Sequence, residues 1–183
     1  NFMILSDSEL VEMLREPRTR REGFAVLVKQ YSEKLYWKVR RIVLSHEDAN
    51  DVLQNVFIKV WSNLQNFQGK SSLSTWLYRI AVNESLDFLR KQKLADKVST
   101  DEDDSVASRL MSDEYFDGDE VQTRLQEAVA RLPEVQRTVF NLKYFEEMKY
   151  SEISQILNTS EGALKASYHL AVKKITEYLH LFD

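Results

Sequence analysis

The sequence predicts an all-α fold of two small helical domains joined by a flexible acidic linker, and three observations carry it. Breakers are scarce, with four Gly and two Pro in 183 residues, whereas sheet-rich folds need many turn residues. Apolar residues recur at three- and four-residue steps over most of the chain, the period of an amphipathic helix. One central stretch, 96–121, lacks that period and holds 10 Asp and Glu against two Lys and Arg. Crowded like charges with little apolar surface to bury stay solvated. The expected boundaries are therefore 1–95, 96–121 and 122–183.

Each element has its own signal. Ser6-Asp7-Ser8-Glu9 followed by Leu10, Met13 and Leu14 reads as a capped first helix. Phe24, Leu27, Val28, Tyr31, Leu35, Val39 and Ile42 share one helical face, giving one long helix or two abutting ones. His46-Glu47-Asp48 breaks it, and a third helix runs from Ala49 to about Leu64 with Ala49, Val52, Leu53, Val56, Val60 and Leu64 inward. A polar loop, 65–72, contains Gly69. The fourth helix carries Leu73, Trp76, Leu77, Ile80, Ala81 and Leu89 on its core side, and ends in Arg90-Lys91-Gln92-Lys93. Past the acidic stretch, Leu125, Ala128, Val129 and Leu132 mark a helix stopped at Pro133, which suits the first turn of the next. That next helix bears Val139, Phe140 and Leu142 to Tyr144. Tyr150 to Leu157 then makes a short helix, Asn158-Thr159 a break, and Thr159 or Ser160 the cap of a helix reaching about Leu181.

Composition narrows the function. With no cysteine, thiolate metal sites and disulfides are absent and a reducing compartment is expected. No apolar run is long enough to cross a bilayer, and no signal-peptide pattern is present, so a cytoplasmic protein is expected. The net charge of −4 divides unevenly: residues 1–95 hold 15 Lys and Arg against 11 Asp and Glu, and 122–183 hold eight of each. The first part can thus face phosphates although the whole chain is acidic. The acidic stretch lacks the calcium-loop spacing and its closing Glu, so a solvated linker is favoured over a metal site. There is no nucleophile motif, phosphate loop or metal triad, so neither an enzyme nor a cofactor or small-molecule substrate is expected.

Three constellations remain. Ser151 to Leu179 reads as a helix-turn-helix, with Ile153, Ile156 and Leu157 inward on the first helix and Ala163, Leu164, Tyr168, Val172, Ile175 and Leu179 inward on the second. Glu161, Lys165, His169 and Lys173, four apart, then look outward into one groove; an ordinary helical hairpin with a solvated face is the competing reading. On the third helix Asp51, Gln54, Phe57, Ile58 and Trp61 form a second, partly apolar face, which is either buried or docks a partner. The loop Phe67 to Ser72 meets a helix bearing Tyr78, Arg79, Asn83 and Arg90 off its core stripe. Rings, an amide and cations together suit stacking on unpaired bases.

In this order, the stretches DANDVLQNVFIKVW, STWLYRIAVNESLDFLR, LPEVQRTVFNLKYFEEMKYSEISQIL and SEGALKASYHLAVKKI resemble the extracytoplasmic-function (ECF) sigma factors of bacterial transcription. The resemblance implies a sigma region 2 bundle followed by a sigma region 4 helix-turn-helix. Core RNA polymerase would be bound through Asp51, Gln54, Phe57, Ile58 and Trp61, and at its flap through Leu142, Tyr144 and Phe145. The minus-ten element would be read as single-stranded DNA by Phe67, Lys70, Ser71, Tyr78, Arg79, Asn83 and Arg90, with a flipped base near Phe67, Lys70, Ser71 and Asn83. The minus-thirty-five element would be read as duplex by Glu161, Lys165, His169 and Lys173, with Arg137 and Lys149 on the flanking backbone. An anti-sigma factor, often membrane-associated, is the implied antagonist. Two departures stand out: Asn55 where an acidic residue is usual, and Ala166-Ser167 in place of the more usual Ser-Arg.

Overall fold

The structure, a computed structural model, describes residues 4–67, 69–95 and 119–182. These hold eight α-helices and no strand. The expected linker lies largely outside the described residues. They form two compact units, one made of the chain up to Val43 with Glu47–Gln92, the other of Lys93 onward with Leu44–His46.

In the first unit α1 spans Asp7–Arg15 and starts on a full capping box, Ser6 Oγ accepting from the Glu9 N–H while the Glu9 carboxylate accepts from Ser6 N–H. The α2 helix, Arg20–Val43, is continuous. Two contacts clamp α1 to it and a third holds Leu5, just ahead of α1. Tyr31 donates to Asp7 at 2.6 Å, the Gln30 amide pairs with both the N–H and the carbonyl of Leu5, and Gly23 lies so close to Met13 that a Cβ would come within 2.8 Å of the methionine Cβ. Leu44, at φ 70, ends α2. The left-handed region is costly for a branched side chain, but here that side chain is buried. Then α3 covers His46–Ser62, three residues earlier than the pattern suggests, because Glu47 and Asp48 favour the positive end of a helix rather than breaking one. A short 3₁₀ turn, Leu64–Asn66, leads into the loop before α4, Leu73–Ala95. Leu27, Leu35, Val39, Val52, Val56, Val60, Leu73, Leu77 and Ala81 make the core. Trp76 and Ile80, expected in it, are only half-buried.

In the second unit α5, Glu120–Ala130, is capped by Asp119, so helix begins inside the stretch expected as linker. Pro133 occupies the N-cap of α6, Glu134–Phe140, one place before the first turn. One π-helical turn, Asn141–Phe145, extends it. The α7 helix, Tyr150–Leu157, ends at Asn158 in the left-handed conformation (φ 52, ψ 47). Ser160 then caps α8, Glu161–His180, accepting from Ala163 N–H. Ala128, Val129, Leu132, Phe140, Ala171 and Ile175 form the core, with Tyr168, Tyr178 and Leu179 packed on it. The inner stripe of α8 thus runs through Ala171, while Ala163 and Val172, expected inside, are exposed.

Candidate nucleic-acid interface

Three surfaces can be built from these elements, each within one unit. On α8 a step of four residues turns the helix by little more than one revolution, so Glu161, Lys165, His169 and Lys173 line one edge, and all four are exposed. Ser160 and Asn158 fix where that edge starts. Tyr150, at the head of α7, lies beneath Lys165, whose ammonium stands 5.7 Å from the ring centroid, while Lys143 reaches the same ring at 4.5 Å. Tyr168 packs against Tyr150 edge-on and stacks with Phe140, tying this corner to the core. Burial pushes the Tyr168 hydroxyl above its ordinary pKa, with Tyr150 and Tyr144 adding to the shift. Tyr150 and Lys143 give no such signal in the sequence because neither shares a helical row with Lys165. Lys149 is exposed at the N-cap of α7. Arg137 is not at the surface: it is buried at 8% exposure and donates to the Leu132 carbonyl at 3.3 Å. That burial corrects its placement as a phosphate contact.

The second surface belongs to α4 and the loop before it. Trp76, Arg79, Asn83 and Arg90 follow one another at steps of three, four and seven, one stripe of a helix. Asn83 and Arg90 are exposed and Arg79 is half-buried. Arg90 already pairs with Asp87 at 2.8 Å. Trp76 joins this surface, its ring 5.0 Å from that of Phe67 and tilted by 47°. The two rings make an aromatic floor, and the loop that follows Phe67 carries exposed Lys70 and half-buried Ser71. Tyr78 lies elsewhere. One residue along a helix is about 100° away, and there the Lys38 ammonium covers its ring at 4.1 Å from the centroid. Burial first, then the charges of Arg41 and Lys34, push Lys38 down to about 8. The tyrosine hydroxyl is pushed up, chiefly by burial.

The third surface is the far side of α3. Asp51, Gln54, Ile58 and Trp61 are exposed and Phe57 is half-buried. Phe24 of α2 packs edge-on against Trp61 at 5.1 Å and Phe57 at 6.5 Å, so the patch is aromatic across two helices. On the opposite side of α3 the exposed Lys59 ammonium pairs with the buried Glu84 carboxylate of α4, which raises the Lys59 pKa. Of the residues expected at the polymerase flap, Tyr144 is 52% exposed and Phe145 half-buried, whereas Leu142 is wholly buried. Leu142 is therefore a core residue, and its placement at a contact is corrected. Among the described residues no cluster of His, Asp and Glu is suited to a metal ion, and no helix is long and apolar enough to cross a membrane.

Comparison with known proteins gives a consistent picture. Residues 27–95 match the family model of sigma-70 region 2, and residues 122–175 match that of sigma-70 region 4. The chain is 33% identical over 157 residues to the ECF RNA polymerase sigma factor SigW of Bacillus subtilis, covering 81% of this chain and 84% of the relative. It is 32% identical over 182 residues to the RNA polymerase sigma-H factor of Pseudomonas aeruginosa, covering 94% and 93%. Among solved structures, the sigma factor RpoE in complex with the anti-sigma factor NepR from Bartonella quintana is similar in fold, at TM-score 0.67 and 21% identity over 87% of this chain and 98% of that one. CnrH in complex with the cytosolic domain of CnrY is similar at TM-score 0.61 and 19% identity, covering 97% and 96%.

Proposed function

We infer, for a chain that belongs to the ECF sigma factors of the sigma-70 family, that it directs core RNA polymerase to promoters by reading one element as duplex and another as separated strand. The observation that carries this reading is the succession of a region 2 and a region 4 match in one chain. Sigma factors regulate transcription rather than catalyse, and no hydrolysis by this chain is required: binding energy opens the strand.

The division of labour follows the chemistry. The α8 edge enters the major groove of the minus-thirty-five element, where Lys165 suits guanine O6 and N7 or a phosphate, and Glu161 can accept from cytosine N4. His169 and Lys173 extend it and Lys149 holds the flank. The Phe67–Trp76 floor with Lys70, Ser71, Arg79 and Asn83 receives a base of the minus-ten element once it leaves the stack. Unstacking costs a few kcal/mol, which an aromatic platform and an amide offset. Asp51, Gln54, Phe57, Ile58 and Trp61, with Phe24 behind them, dock core polymerase, and Tyr144 and Phe145 its flap. Residues 1–95 and the C-terminal part from Asp119, the cap of α5, onward act as the two DNA-binding modules, tethered by the acidic stretch between them. One neighbour of this fold is a sigma factor in complex with an anti-sigma factor, another is held by the cytosolic domain of CnrY, and we extend an anti-sigma partner, cytoplasmic or the cytosolic face of a membrane protein, to this chain.

Run-off transcription with core enzyme, a promoter library and start-site mapping tests the whole reading. Discrete starts that require the chain are expected. No stimulation on any template, together with duplex binding in gel shifts that core enzyme leaves unchanged, would instead indicate a stand-alone helix-turn-helix regulator.

A further inference from the structure

The α1 helix precedes residue 27, where the match to sigma-70 region 2 begins. Its last residue, Arg15, is nonetheless at the loop. A Cβ built on Gly69 would lie 3.1 Å from a terminal nitrogen of the Arg15 guanidinium, and α1 also packs on the Leu64–Asn66 turn that leads into that loop. Gly69 stands at φ +71, a conformation open to glycine without strain, so the glycine serves both the turn and the close approach of the arginine. The backbone beneath Arg15 is firmly held: Thr19 Oγ1 donates to Met13 O at 2.8 Å, and the Arg20 guanidinium donates to the carbonyls of Leu14 and Arg15. Arg15 itself is exposed, as is Lys70 next to the glycine, and no carboxylate among the described residues pairs with it. An unneutralised guanidinium on a held backbone, at a loop that carries a second cation, is a fork for a phosphate, whose oxygens it can meet in bidentate fashion.

We propose that Arg15 is a further nucleic-acid contact, gripping with Lys70 one backbone phosphate of the separated strand next to the base held by the Phe67–Trp76 floor. This rests on the reading of that loop given above. Such a contact tracks the strand and is blind to its sequence.

The test uses the full chain bound to core polymerase, titrated with a dye-labelled single-stranded oligonucleotide spanning the minus-ten stretch of a promoter it transcribes, at several salt concentrations. Arg15→Ala is expected to weaken binding roughly five- to tenfold and to reduce the slope of log affinity against log salt by up to about 0.7, the value for one whole phosphate contact on a single strand, because Lys70 still faces the same phosphate. Arg15→Lys keeps the slope while losing part of the affinity. Gly69→Ala, which displaces the guanidinium, weakens binding in the same direction. Affinity and slope unchanged in Arg15→Ala, while Lys70→Ala and Asn83→Ala bind less well, overturn the assignment of Arg15 alone. If all three variants bind like the parent with affinity for core enzyme intact, the loop reading falls and Arg15 with it.

Discussion

At the scale of single residues, Trp76 and Asn83 separate binding from stability. Both lie on the same stripe of α4, but Asn83 is exposed and Trp76 is half-buried against Phe67. Asn83→Ala therefore leaves the unfolding midpoint nearly unchanged, within about 0.5 kcal/mol, and weakens single-strand binding by about tenfold, or ~1.4 kcal/mol. Trp76→Ala loses on both counts. Full burial of a large ring would cost about 3–5 kcal/mol on truncation, and a half-buried one about 2. Thermal melts beside oligonucleotide titrations read the two effects apart, and equal melting losses for both variants would contradict the exposure of Asn83. Lys38 gives a pH signature. Held down at about 8 by burial and by Arg41 and Lys34, it releases its proton in the folded protein before the unfolded chain does. Between roughly pH 8 and 10 the unfolded state thus binds more protons, and stability rises with pH. The raised Tyr31 and Tyr78 act only above about pH 10, where they oppose further deprotonation of the fold. Denaturant midpoints for wild type and Lys38→Met across that window should converge as pH rises; parallel curves would mean Lys38 is charged throughout.

At the scale of elements, the turn between α7 and α8 controls where the outward edge of α8 points. Asn158 sits at φ 52, and Ser160 caps α8. Ser160→Ala should cost about 1 kcal/mol, a fall of roughly 4–8 °C in melting temperature for a unit of this size. Asn158→Gly should be nearly neutral because glycine accepts the same backbone, whereas Asn158→Val should cost about 1–2 kcal/mol. Circular-dichroism melts check all three, and an indifferent Asn158→Val would refute the left-handed turn. This turn was legible in the sequence because Asn and Ser are local signals: they report on their own backbone and the next few N–H groups. The start of α3 was not, since Glu47 and Asp48 serve a helix start as well as a break, and only Leu44 at positive φ decides between them. The stripe of α8 was misassigned at Ala163, Ala171 and Val172 for a related reason. Small apolar residues sit on either side of a helix at little cost, so position depends on which neighbour, here the aromatic group around Phe140, occupies the inner side. Arg137 and Leu142 show the complementary failure. A cation and a leucine look equally apt for a surface or an interior until the partner carbonyl of Leu132 and the packing around α6 are known.

At the scale of the whole molecule, each unit has its own core, so a defect in one surface should leave the other intact. The α3 face is exposed, with Phe24 of α2 edge-on to its Phe57 and Trp61, and the α8 edge rests on the Tyr150–Tyr168 corner of the other unit. Ile58 is 63% exposed, so Ile58→Asp removes apolar contact area and adds charge without opening a cavity. It should reduce capture of core polymerase severalfold while the melting curve stays in place. Lys165→Ala should leave that capture unchanged and weaken promoter binding by the assembled holoenzyme, by about 1–3 kcal/mol if Lys165 reads a guanine. Sites that share no partner contribute independently, so the double variant should lose the sum of the two single losses to within about 0.5 kcal/mol in overall promoter occupancy. The comparison is made at one salt concentration, because the Lys165 loss itself shrinks as counterions replace it. A double variant markedly worse or better than the sum would mean that polymerase docking on α3 and duplex reading by α8 are coupled through a change in one of the units, and that the two surfaces are not the independent handles the chain's two cores make them.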